Sequence, residues 1–210
     1  MASPLWKSAA ALSRRGLLKG GLSALVLSLS PAPFALAAEA AEDAKSAGAG
    51  GKTLVLYFSH SGNTRRIAEM IHKRAGGDLL ELKTVKPYPR EYNAVVDVAK
   101  AEQQADARPE IATRLDKLAD YDTVFIGDPN WWGTLPMPFF TLLEQDDMAG
   151  KTLIPFTTPE GSRFGRGVAD LRRLCPKAKA FAEGFECRGK RAHRAEKDVV
   201  AWLARIGMAR

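Results

Sequence analysis

The chain has 210 residues, of which 46% are hydrophobic and 26% charged. These fractions exclude a disordered, collagenous or disulfide-scaffold chain, and two cysteines exclude an all-cysteine zinc site. The formal charge is +7, but Lys7, Arg14, Arg15 and Lys19 stand in an acid-free stretch over residues 1–37. The rest carries 27 basic against 24 acidic side chains, a net of +3. That balance gives no case for a nucleic-acid partner.

Ser13-Arg-Arg-Gly-Leu-Leu-Lys19 precedes an uncharged stretch from Gly20 to Ala38, within which Ala35-Leu36-Ala37 has the small-x-small form of a cleavage site. A basic head, an apolar middle and that site make a bacterial secretory signal over residues 1–37. The paired arginines resemble the twin-arginine type. An uncleaved anchor is the alternative, since 19 uncharged residues nearly span a bilayer. Pro31, Pro33 and the Ala-x-Ala site favour cleavage, which leaves no stable membrane insertion and a periplasmic protein. Twin-arginine cargo travels folded and often carries a cofactor, so a bound redox group is expected. Residues 38–51 read as a flexible linker rich in Ala, Gly and Glu, and residues 52–210 as the folded domain.

Within that domain, Thr53 to Phe58 is a continuous apolar run, as a strand covered on both faces should be. It ends in Ser59-His-Ser-Gly-Asn-Thr64. A helix follows with Ile67, Ala68, Ile71 and Ala75 on one face, stopped by Gly76-Gly77. Leu79 to Leu82 is a second strand. The connection from Pro87 to Pro109 holds a helix from about Glu91 to Ala105. Thr123 to Gly127 is a third strand, leading into Asp128-Pro-Asn-Trp-Trp-Gly-Thr-Leu-Pro136 and a helix over Phe139 to Glu144. Thr152 to Phe156 is the fourth, followed by Thr157-Thr-Pro-Glu-Gly-Ser162, a ligand loop or simply a helix-start turn capped by Ser162, and a helix through Leu174. Lys179 to Phe185 is a weaker fifth strand. Ala195 to Ile206 closes as a helix with Val199, Val200, Leu203 and Ile206 inward.

Strands alternating with helices imply a parallel sheet covered on both faces. Ligands of such sheets bind beyond the carboxyl ends of the strands, where the loops after strands one, three and four converge. The first loop offers free helix amides with the hydroxyls of Ser59, Ser61 and Thr64, a cradle for a phosphate or a plain Ser/Thr-rich cap. It is not a Walker A loop, because the Gly-Lys-Ser/Thr ending is missing. In the second, two adjacent indoles cannot both enter a core, so one of Trp131 and Trp132 is exposed near the ligand edge, suited to stack on a planar ring or simply packed under the loop. The third supplies hydroxyls and Gly161 to the same crevice.

Taken together, Tyr57-Phe-Ser-His-Ser-Gly-Asn-Thr64, Gly127-Asp-Pro-Asn-Trp-Trp-Gly-Thr-Leu-Pro136 and Pro155-Phe-Thr-Thr-Pro-Glu-Gly-Ser162 resemble the flavodoxin family, in its bacterial branch with a Trp-Trp-Gly loop. The resemblance covers about residues 53–206. It implies a flavodoxin-like three-layer α/β/α fold, with a five-stranded parallel sheet in order 2-1-3-4-5 and non-covalently bound FMN. Carried over, Ser59, Ser61, Gly62, Asn63 and Thr64 would hold the phosphate. Pro129, Asn130, Trp131, Trp132 and Gly133 would border the flavin ring, and Thr157, Thr158, Gly161 and Ser162 would close the other side. Pro159-Glu160 departs from the Ser-Gly-Gly-like stretch usual in this branch, removing an amide donor and adding a carboxylate.

The resemblance leaves three readings. The protein is an oxidoreductase moving electrons through FMN to a quinone-like or protein acceptor, a one-electron carrier docking to redox partners, or a binding module without flavin. Acidic carriers disfavour a reduced, anionic flavin; a mature chain at +3 disfavours it less, so a less negative lowest potential is expected. No second Gly-rich loop for a dinucleotide is present, which favours feeding by a partner. Tyr88 and Tyr92 are candidates for an acceptor pocket, or surface packing. No catalytic acid or base and no metal site is assigned, and nothing sets an oligomeric state. Cys175 and Cys187 are read as unpaired packed thiols, with a disulfide as the alternative.

Overall fold

The computed structural model describes residues 51–209. The signal read over 1–37 and the linker up to residue 50 lie outside the described residues. The apolar runs become β1 (Thr53–Tyr57), β3 (Thr123–Asp128) and β4 (Thr152–Thr157), every residue of which is buried. β2 (Asp78–Glu81) is the half-buried edge. All pairings within the sheet are parallel, in the order 2-1-3-4-5, as the alternation of strands and helices predicts.

The fifth place differs in one respect. It is shared by two short strands, β5 (Ala180–Phe181) and β6 (Phe185–Glu186), both paired with β4. The break falls opposite Ile154 and Pro155, since β5 meets Thr152 and Leu153 while β6 meets Phe156 and Thr157. Pro155 has no N–H for a ladder. Gly184 lies at the break, where a Cβ would be 2.6 Å from the Phe164 ring and 2.9 Å from the Pro155 carbonyl oxygen.

Among the described residues the helices are α1 (Asn63–Ala75), α2 (Tyr92–Gln104), α3 (Met137–Gln145), α4 (Gly167–Leu174) and α5 (Glu196–Arg205); α1, α3, α4 and α5 cover the sheet, and α2 packs on α3. Side chains alternate across each strand, which divides the core into two layers. Val55, Tyr57, Phe125, Ile154 and Phe156 face α1 and α5, while Leu54, Leu56, Val124, Ile126 and Leu153 face α3 and α4. Each large apolar side chain buried in full contributes about 1.5–3 kcal/mol. Gly127 fits only as glycine, because a Cβ would sit 2.0 Å from the Phe156 ring.

Two helix expectations are corrected. Ser162 is not the N-cap of α4, which begins at Gly167 after Arg166. Left-handed backbone at Arg163 (φ 53°) and Gly165 (φ 53°) delays the helix by one turn. In α5, Val200 is only half-buried, and Trp202 takes the inward place. The Trp202 indole packs on Phe125 and Phe185 and donates to the Glu183 carbonyl at 3.0 Å.

Candidate functional site

β1, β3 and β4 end side by side, so the three loops that follow them meet at one edge of the sheet. They enclose a cavity of about 510 Å³, within the range of small-molecule and cofactor sites. Ser61 and Asn63 reach it from the first loop, Pro129, Asn130, Trp131, Trp132 and Gly133 from the second, and Thr158, Gly161 and Ser162 from the third. Ser59, Gly62, Thr64 and Thr157 do not line it.

The first loop is held open by its own turn. Gly62 adopts a left-handed conformation (φ 87°) ahead of α1, with no atom within 4 Å of where a Cβ would be. The Ser59 hydroxyl accepts the Arg65 amide at 3.2 Å, and the Gly62 carbonyl accepts that of Arg66 at 3.1 Å. Among the described residues the amides of Gly62, Asn63 and Thr64 meet no acceptor, so the positive end of α1 keeps its donors. The Thr64 hydroxyl is engaged, 2.8 Å from that of Thr158.

In the second loop the chain turns through left-handed residues Asn130 (φ 50°), Trp132 (φ 52°) and Gly133 (φ 82°). This separates the two indoles. Trp131 packs edge-on against Phe58, Tyr88 and His60, with ring centroids 5.2, 5.0 and 6.1 Å away. Trp132 is 46% exposed, and its indole N–H donates to the Val96 carbonyl at 3.0 Å. Lys100 Nζ lies 5.0 Å from the Trp132 ring centroid, and Gln103 donates to the Trp132 carbonyl. The Asn130 side-chain amide donates to the Arg163 carbonyl. Its Oδ1 is buried without a partner.

Asp128 anchors the loop from below. It is 5% exposed and accepts the Asn130 amide at 2.6 Å and the Thr157 hydroxyl at 3.3 Å. Burial pushes its carboxyl up to about 7, and those two hydrogen bonds only partly offset this. Thr157, fully buried, therefore acts through Asp128 rather than at the cavity surface.

These features agree with what the chain resembles. A family model described as Flavodoxin matches residues 52–206. The chain belongs to the flavodoxin family. Among solved structures, one from Bacteroides eggerthii assigned as a flavoprotein is 32% identical, covering 75% of this chain and 98% of its own, with a TM-score of 0.64. Another from Bacteroides uniformis is 31% identical, covering 74% and 99%, with a TM-score of 0.63. A Lactobacillus acidophilus flavoprotein in complex with FMN is 26% identical, covering 69% and 98%, with a TM-score of 0.55. No curated protein matches.

This flavodoxin-family site has a wall that the loop motifs do not announce. Tyr92, Val95, Val96 and Ala99 of α2 face the same cavity. α2 is fixed at its start by Glu91, whose carboxylate accepts the amides of Asn93 (2.9 Å) and Ala94 (2.6 Å). Glu160 and His60 also line the cavity. His60 Nε2 is 2.7 Å from the Pro89 carbonyl oxygen, which only accepts, so Nε2 carries the proton. The signal for α2 in the sequence is the apolar set Val95, Val96 and Ala99, whose spacing predicts burial without saying against what. Among the described residues no cluster of side chains suits a metal ion, and no helix is long and apolar enough to cross a membrane. Cys175 and Cys187 are both free thiols.

Proposed function

We propose that this cavity holds FMN and that the protein passes electrons through it between a reduced partner and an acceptor. The family is one of FMN-binding electron-transfer proteins. The observation that carries the reading for this chain is the convergence of three loops on one cavity, beside which the amides of Gly62, Asn63 and Thr64 stay unpaired. Unpaired polar groups call for a partner. The unpaired amides of Gly62, Asn63 and Thr64 fit a phosphate by the same reasoning.

In this reading Ser59, Ser61, Gly62, Asn63 and Thr64 make the phosphate cradle, with Ser61 and the loop amides as donors and Ser59 holding the turn. Pro129, Asn130, Trp131, Trp132 and Gly133 border the ring, and Thr158, Gly161 and Ser162 close the far side. Thr157 fixes Asp128 and so the path of the second loop. Bound FMN supplies reversible one- and two-electron redox chemistry. The residues around it exclude water on the α2 side and set the local charge, with Lys100 favouring and Glu160 opposing an anionic ring.

The acceptor reading is an oxidoreductase acting on a quinone-like molecule or a protein, with a one-electron carrier as the second. The open apolar wall of Tyr92, Val95 and Val96 favours the former, since it leaves room for a planar molecule. The Arg14-Arg15 motif and Ala35-Leu36-Ala37 support export in folded form by the twin-arginine route to the periplasm. Reoxidation assays on the FMN-reduced protein test the choice. Turnover with benzoquinone faster than with one-electron acceptors of similar potential supports the oxidoreductase, and the reverse supports the carrier.

A further inference from the structure

Residues 187–194 read Cys-Arg-Gly-Lys-Arg-Ala-His-Arg, with four cations and no acid. The segment is a 3-10 turn over Gly189–Arg194, pinned by buried Gly189 and Ala192. Burying those two positions turns Arg188, Lys190, Arg191 and Arg194 outward, and all four are exposed. Among the described residues none of them has an ion-pair partner, whereas Arg163 pairs with Glu186 at 2.9 Å and Arg74 with Glu196 at 2.8 Å.

The turn abuts the proposed flavin site. Its Gly189 amide donates to the Pro159 carbonyl at 3.1 Å. A Cβ at Gly189 would lie 2.7 Å from Asn63 Nδ2 and 2.9 Å from Glu160 Oε1, both of residues that line the 510 Å³ cavity. Beside it a second cavity, of about 360 Å³, is lined by Arg163, Arg188 and Arg191 with Glu186 and Asp198. Gly161 borders both cavities. With Glu186 taken by Arg163, the second cavity keeps two arginines against Asp198.

We propose that this basic face docks an acidic redox protein, one of whose carboxylate side chains enters the arginine-lined cavity. The inference rests on the FMN reading and names the partner's chemistry. Arginine binds carboxylate in a paired, planar geometry, and complementary charge steers the encounter. Four cations on two sides of one turn span more than a small anion covers. The net charge of +3 from residue 38 onward is too low for a nucleic acid. Docking here brings the partner against the third loop. One electron leaves the partner's reduced redox group and one arrives at the flavin, with no bond made or broken.

The test uses the full chain loaded with FMN and a dithionite-reduced, acidic two-iron ferredoxin as probe, followed by stopped flow. The rate constant should fall about tenfold or more when ionic strength rises from about 10 to 300 mM. It should fall comparably in Arg188→Glu/Arg191→Glu at low salt, and less in Arg188→Gln/Arg191→Gln, with FMN occupancy and benzoquinone turnover unchanged. An unchanged ferredoxin rate in the charge-reversed variant overturns the proposal. So does a charge response limited to ferricyanide, or duplex DNA binding that the variant abolishes. Calorimetric titration of ferredoxin into the flavin-free chain reads docking by itself. Binding there that the variant loses supports the docking face even if FMN fails to bind, in which case the FMN reading alone is lost.

Discussion

The hydroxyls of Thr64 and Thr158 meet 2.8 Å apart in a buried contact that ties the loop after β1 to the loop after β4. Neither side chain needs to touch a ligand to matter, because the bond sets the distance between the first loop and the far wall of the cavity. A buried hydroxyl left alone costs about 1–3 kcal/mol. Thr64→Val and Thr158→Val should each lower stability by that amount, and the double variant by less than the sum. Urea unfolding, read as a lower midpoint at unchanged slope, measures it. Additive losses would show that the two hydroxyls act separately.

Asp128 makes stability depend on pH with a definite sign. Its carboxyl is pushed up from 3.8 to about 7 by burial, so the folded chain holds the proton more tightly than the unfolded one. Its contribution to stability is present below about 4 and is lost as pH rises through about 7. Asp128→Asn keeps an acceptor for the Asn130 amide and removes the charge. Relative to the natural protein it should be more stable at pH 8 than at pH 5 by about 1–3 kcal/mol. Urea midpoints for both proteins at the two pH values check this, and an equal difference at both would contradict it.

The two indoles of the second loop should separate in their effects. Trp131→Ala removes the edge-on packing with Phe58, Tyr88 and His60 and should cost about 2–4 kcal/mol. Trp132→Ala removes a half-exposed ring, one hydrogen bond and the Lys100 contact, and should cost about 1 kcal/mol or less. Its larger effect should fall on FMN affinity, weakened about tenfold or more. Thermal unfolding and flavin fluorescence titration of each variant read the two effects independently.

The sheet was legible in the sequence because β1, β3 and β4 each hold an unbroken apolar run, over residues 54–57, 124–127 and 153–156, as a strand covered on both faces requires. The split of the fifth strand was not, since it depends on Pro155 of the neighbouring strand and on Phe164 packing over Gly184. Ser162 has the right chemistry for a cap, but the left-handed turn at Arg163 and Gly165 moves the helix past it. In the site, the loop motifs marked ten residues that the structure gathers around one cavity. Of the α2 wall only Tyr92 was marked, because apolar spacing predicts that Val95 and Ala99 are buried and says nothing of what they face. Asp128 escaped as well, for its buried state follows from β4 lying beside it.

The cysteines offer a check on packing. Cys175 is buried, with its thiol pushed up to about 12 by desolvation, whereas Cys187 is half-buried. Alkylation of the folded, unreduced protein should modify Cys187 and leave Cys175 until the chain is unfolded. Mass spectrometry after each step reads the count, and a chain that takes no label even when unfolded would reveal a disulfide.

The most direct measurement is a titration of the purified flavin-free protein with FMN, followed by absorbance and by quenching of flavin fluorescence. One FMN should bind per chain and give bands near about 370 and 450 nm, with affinity reduced in Gly62→Val, whose side chain cannot adopt the left-handed turn at the cradle. A protein that stays colourless at saturating FMN, or a Gly62→Val variant that binds as tightly as the natural chain, would contradict the site described.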